Sequence, residues 1–130
     1  MKMKTIYITI ILSVGLILFG CSNSEEPEIH EEPTISLSTE PTMITAGDSA
    51  EIELLIEQHG IGGMGGLTIH GEMHLPNDAG EVDLDFHEST DHAGHYHAEY
   101  VFAIAGTYEL HSSFMHHGEN VEEVFTIDVQ

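Results

Sequence analysis

Seven short segments of this chain alternate apolar and polar residues with a period of two, and that pattern leaves little choice of architecture. Ile35, Leu37 and Thr39 form the first set, Ile52, Leu54 and Ile56 the second, and Ile69, Gly71, Met73 and Leu75 the third. Val82, Leu84 and Phe86 follow, then Tyr96, Ala98, Tyr100 and Phe102. Tyr108, Leu110, Ser112 and Phe114 make the sixth set, and Phe125, Ile127 and Val129 the last. Successive side chains of an extended strand point to opposite faces, so each set marks one buried face. Clusters of Gly, Pro, Asn and Asp separate the sets, and no segment has the i, i+3, i+4, i+7 spacing of an amphipathic helix. The expected fold is all-β: an immunoglobulin-like antiparallel β-sandwich of about seven strands, A to G in chain order.

The stretch Ala105-Gly106-Thr107-Tyr108-Glu109-Leu110 resembles the tyrosine corner that opens strand F of such sandwiches. A corner there turns Tyr108 and Leu110 inward and Glu109, His111, Ser113, Met115 and His117 outward. An ordinary hairpin turn at Ala105-Gly106 is the alternative, and it changes the sheet pairing without changing the alternation.

The N-terminal residues read differently. Lys2 and Lys4 precede an apolar run from Thr5 to Phe19 that is short for a membrane span. The run ends at Leu18-Phe19-Gly20-Cys21, which resembles the lipobox of bacterial lipoprotein signal peptides, where the cysteine is lipidated. The expected organisation is a signal peptide over 1–20, lipidated Cys21 with an acidic flexible linker over 21–33, and the sandwich domain over 34–130. The alternative is an uncleaved N-terminal anchor with Cys21 free. Both place the domain outside the cytoplasm, on the outer face of the cell membrane.

Composition then limits function. After Lys4 there is no lysine or arginine, yet the chain carries 11 histidines and 23 acidic residues. Loss of both lysines with the signal segment takes the formal charge from −21 to −23. Such a chain is repelled by nucleic acid and by anionic lipid, so a membrane attachment rests on the lipid. With Cys21 as the one cysteine, and that one lipidated, thiol redox chemistry and Cys-based zinc sites are excluded. There is no cysteine nucleophile, no phosphate-cradling loop with a lysine and no distinguishable Ser-His-Asp set, so an enzyme is not expected. Acidity by itself fits a saline or alkaline exterior, but that setting gives no reason for the histidines. Neutral imidazoles, carboxylates and thioethers are cation ligands, and metal binding is the expectation.

In the expected topology the B–C, D–E and F–G loops lie at one end of the sandwich. They bring His59 and Met64, then His87, His92 and His95, then Met115, His116 and His117 toward one rim. His95 and His97 are i, i+2 on a strand, so both project from one face about 6.6 Å apart. His70 and His74, with Glu72 between them, occupy the outward face of strand C, His70 toward Met115 and His74 toward His111. The candidate metal ligands are therefore His95, His97, Met115, His116, His117, His70, His92, His111 and Met64. Thioethers are soft and favour Cu(I), whereas imidazole serves copper and zinc alike. Met73 alternates with the core set and is expected in the core.

Gly94-His95-Tyr96, Phe102, Gly106-Thr107-Tyr108 and Phe125-Thr126-Ile127, together with the lipobox and the acidic linker, look like the YtkA-like lipoprotein domains related to FixH-like proteins. That resemblance spans Thr34 to Gln130. It implies copper binding, and a role in supplying copper to a membrane acceptor such as the CuA centre of cytochrome c oxidase. The family's Met/His cluster in the last hairpin matches Met115, His116 and His117 here. The expectation is a tethered copper metallochaperone handling Cu(I), Cu(II) or both. A zinc-scavenging lipoprotein and a metal-free protein-interaction module remain as alternatives.

Overall fold

The computed structural model describes residues 31–130; the expected signal peptide, Cys21 and most of the linker lie outside them. Among the described residues, nine strands form two antiparallel sheets: β1 Thr34–Glu40, β2 Ser49–Gln58, β3 Gly62–Gly63, β4 His70–His74, β5 Glu81–Asp85, β6 His87–Glu88, β7 His95–Val101, β8 Gly106–His116 and β9 Glu119–Val129. One sheet runs β1-β2-β7-β6 with β3 on β2, and the other runs β5-β4-β8-β9. The seven longer strands are the seven alternating segments, and the fold is an immunoglobulin-like β-sandwich.

The alternation works as the pattern requires. Ile52, Leu54 and Ile56 from β2, Tyr96 from β7, and Met73, Tyr108 and Leu110 from β4 and β8 meet between the sheets, all essentially buried. Apolar burial of this kind contributes about 25 cal/mol per Å² and is the main force holding the layers together. Tyr108 forms the expected corner: its hydroxyl donates to the Ile104 carbonyl at 2.8 Å and accepts from the Ile104 amide at 3.3 Å. Its ring stands edge-on to Phe102, with centroids 4.9 Å apart.

Both lateral edges are stitched by chain that changes sheet. After β1, Ile44 runs parallel to Val129 of the opposite sheet, and the Gln130 amide donates to the Ile44 carbonyl at 2.9 Å. The fourth alternating segment also divides, which the pattern did not anticipate. Glu81–Asp85 pairs with β4, the chain crosses at half-buried Phe86, and His87–Glu88 pairs with β7 in the other sheet. A uniform period of two cannot reveal such a switch, because Phe86 keeps its place in the alternation while its neighbours change partner.

Candidate metal-binding faces

Alternation that sends Gly71 and Met73 inward sends His70, Glu72 and His74 outward on β4. The antiparallel registers then set cross-strand rows on the outer face. Asp85, His70 and Ser113 form one row, Asp83, Glu72 and His111 the next, and Glu81, His74 and Glu109 the third. Two triads result, His70 with Glu72 and Asp83, and Glu72 with His74 and Glu81; within each, one ligand atom per residue lies within 4.8 Å of the others. His74 Nε2 donates to Glu72 Oε1 at 2.7 Å, and His74 Nδ1 lies 3.9 Å from Glu81 Oε1. The His111 ring stacks on that of His74, centroids 4.1 Å apart and planes 19° from parallel, and its Nε2 reaches Glu109 at 3.5 Å. Two donors about 2.0 Å from one ion stand about 2.8 Å apart at a right angle. A cation replacing the shared proton of the His74–Glu72 pair would therefore need little movement.

The other sheet carries a second histidine face. His95 and His97 project outward from β7, and the register sets His87 of β6 beside His97. Glu53 Oε2, from the adjoining β2, lies 3.3 Å from His95 Nδ1 and 3.4 Å from His97 Nε2. The carboxylate thus joins both imidazoles, although the three residues do not converge as closely as the triads on β4 and β5. His97 Nδ1 is buried 3.2 Å from Glu51 Oε1, in a direction that makes no hydrogen bond. His92, in the loop before β7, sets its ring edge-on to His95 with centroids 5.5 Å apart.

Two of the three loops expected at one rim, those before β4 and before β7, touch. Gly63 and Gly94 are in such close contact that a Cβ on Gly94 would lie 2.7 Å from the Gly63 Cα and 2.6 Å from the Ile56 carbonyl oxygen. The Gly66 amide donates to Glu88 at 2.8 Å across the same junction. Met64, however, is turned half inward against the core. The Tyr96 hydroxyl donates to the Met64 carbonyl at 2.8 Å and accepts from the Leu67 amide at 3.0 Å, drawing the glycine-rich loop down onto the sandwich. Burial raises the Tyr96 phenol above its usual range; the Leu67 hydrogen bond lowers it in part, and the Glu88 charge adds to the rise.

At the same end, β8 and β9 are joined by a tight turn with His117 and Gly118 at φ 50° and 81°. The His116 and His117 rings stand edge-on there, centroids 4.1 Å apart, and both line a groove of about 560 Å³ with Glu31, Glu32 and Glu119. Met115 is exposed on β8, but Ser113 rather than Met115 stands opposite His70. Met73 is in the core, fully buried.

The sequence-derived candidates thus fall into three groups. His70 and His111, with His74, lie on the outer face of β4 and β8. His92, His95 and His97, with His87, lie on the outer face of the other sheet and the loop before β7. Met115, His116 and His117 lie along the end of β8. The cause is the alternation itself: outward residues of opposed sheets face away from each other. Sequence reasoning missed Asp83, Glu81 and Glu53, whose roles depend on register. Their one signal was position on the polar side of an alternating segment next to a histidine strand.

Fold and faces define an immunoglobulin-like β-sandwich, one outer face of which carries His/carboxylate clusters that could hold a metal ion. It is similar to the crystal structure of a DUF4426 family protein from Pseudomonas aeruginosa PAO1, with a TM-score of 0.55 and 11% identity over 74% of this chain and 86% of that one. A likeness at this identity establishes the shared fold. No family model matches the chain, and no curated protein matches it in sequence.

Proposed function

We propose that this protein is a membrane-tethered extracytoplasmic metal-binding protein whose cargo is copper. It would hold the ion on the outer face of β4 and β5 and pass it to a membrane-bound acceptor such as an oxidase subunit. The observation that carries this reading is the pair of His/carboxylate triads on one sheet face, in a domain without a single lysine or arginine. With no basic side chain available, cations are the natural partners for these carboxylates. Imidazole with carboxylate is a borderline donor set, and among first-row divalent ions such sets bind Cu(II) most strongly. The resemblance to YtkA-like and FixH-like domains favours copper as well. The tether is inferred from the lipobox at Leu18–Cys21.

A flat, open face suits transfer, because an acceptor can approach the ion directly and replace ligands one at a time. Binding also releases or excludes protons from imidazole, so affinity should fall on acidification from pH 8 to 5. Zinc is the second reading, and two observations favour it. Met64 is turned against the core, away from a soft-ligand role, and the triads on β4 and β5 offer only imidazole and carboxylate, with no sulfur.

Calorimetry on the full-length chain in detergent, with Cu(II), Cu(I) and Zn(II) in turn, tests the proposal. Copper binding tighter than micromolar that weakens in His74→Ala is the expected result. Absence of any copper binding tighter than micromolar would sink it, and tight zinc with weak copper would transfer the proposal to zinc.

A further inference from the structure

The two triads on the outer face of β4 and β5 have Glu72 in common. Resting on the metal-binding reading above, we propose that they form a single dinuclear centre. The Glu72 carboxylate bridges two divalent cations, one held by His70 and Asp83 and the other by His74 and Glu81.

Strand geometry sets the arrangement. His70, Glu72 and His74 share one face of β4 at intervals of about 6.6 Å. Asp83 stands directly opposite Glu72, and Glu81 opposite His74. Each cation therefore sits between neighbouring cross-strand rows, and the Glu72 row is the one both must use. A carboxylate has two oxygens with separate lone pairs, so it can serve both ions at once. Oε1 already reaches His74 Nε2 at 2.7 Å, which leaves Oε2 for the His70 side. The row interval caps the metal–metal separation at about 6.6 Å, and a bridging ligand draws the ions toward the roughly 3.5–4 Å of known two-metal sites.

Charge balance permits two ions here. Glu72, Asp83 and Glu81 offset three of the four positive charges, and Asp85 and Glu109, in the flanking rows, lie close enough to offset the remainder. No lysine or arginine stands in the domain to compete for them. His111, stacked on His74 and opposite Glu72 in register, restrains the His74 ring on the side away from β5.

Copper itself is the probe. The full-length chain in detergent, carrying His95→Ala and His97→Ala to silence the opposite face, is titrated with Cu(II) and followed by electron paramagnetic resonance. A bridged pair should give a half-field transition and a loss of integrated intensity as the second equivalent binds. Glu72→Gln should abolish both signs of coupling and weaken binding about tenfold or more. The double variant His70→Ala, Asp83→Asn should retain one uncoupled ion. Circular dichroism of each variant establishes that the sandwich is intact. An uncoupled spectrum through two equivalents, with His74→Ala still weakening copper, overturns the dinuclear centre and leaves the metal-binding reading standing. Unchanged affinity in both His70→Ala and His74→Ala overturns the two together.

Discussion

Replacing Tyr96 by phenylalanine removes one oxygen atom and should loosen the whole glycine-rich loop ahead of β4. That oxygen donates to the Met64 carbonyl at 2.8 Å and accepts from the Leu67 amide at 3.0 Å. The phenyl ring keeps its burial, so the apolar contribution is unchanged and the loss is confined to two hydrogen bonds. Each is worth about 0.5–1.5 kcal/mol net. Met64 and Leu67 are only half-buried, so water takes over part of their hydrogen bonding, and the middle of the range, about 2 kcal/mol in total, is the appropriate figure. For a domain of about 100 residues that lowers Tm by roughly 8–16 °C. Denaturant unfolding followed by circular dichroism gives the free energy, and hydrogen exchange at the Leu67 amide locates the effect. Since His70 follows Leu67 by three residues, copper affinity on the β4 face should also decline. A stability change below about 0.5 kcal/mol, with Leu67 exchange unaltered, would refute the view that this hydroxyl holds the loop.

Gly94→Ala should destabilise by about 3 kcal/mol or more, because Gly94 has φ 84° and its new Cβ would meet the Ile56 carbonyl oxygen, the Gly63 Cα and the Met64 nitrogen within 2.7 Å; near-native thermal unfolding would contradict this. Tyr96 and Tyr100 both have phenols raised by burial. The folded state therefore holds protons that the unfolded chain releases near pH 10, and stability should be fully present below pH 10 and fall as pH rises through the folded values. An alkaline unfolding series should show that fall, less steeply in Tyr96→Phe. Met115→Ala, at a residue 60% exposed on β8 and outside the β4–β5 triads, should leave Cu(II) and Zn(II) affinity unchanged, as competition with chromogenic chelators would show.

Much of this fold could be read along the chain because alternation is a local property. Ile52, Leu54 and Ile56 announce their burial in β2, and Gly106-Thr107-Tyr108 announces the corner. The outward placing of His70, Glu72 and His74 follows from the inward placing of Gly71 and Met73. What could not be read depends on contacts between distant segments. Asp83 and Glu81 look like an ordinary solvated strand until the register sets them against Glu72 and His74. Met64 looks like an exposed loop residue until Tyr96, more than thirty residues on, takes hold of its carbonyl. The loop positions indicate which histidines share one end of the sandwich, but not which of them face one another, because that depends on the contacts between the loops.

The place where the N-terminal segment joins the sandwich has a consequence for presentation. Thr34 begins β1 opposite Glu57 at the far end of β2, and Glu31 and Glu32 line grooves with His116 and His117 on one side and His59 on the other. The chain thus arrives at the end that bears the loops. Under the tether proposed above, that end lies nearest the anchor and the two sheets extend away from it. The His70–His74 face then lies on the flank of the domain and not at its tethered end. On that proposal an acceptor would meet the ion at the side of the domain.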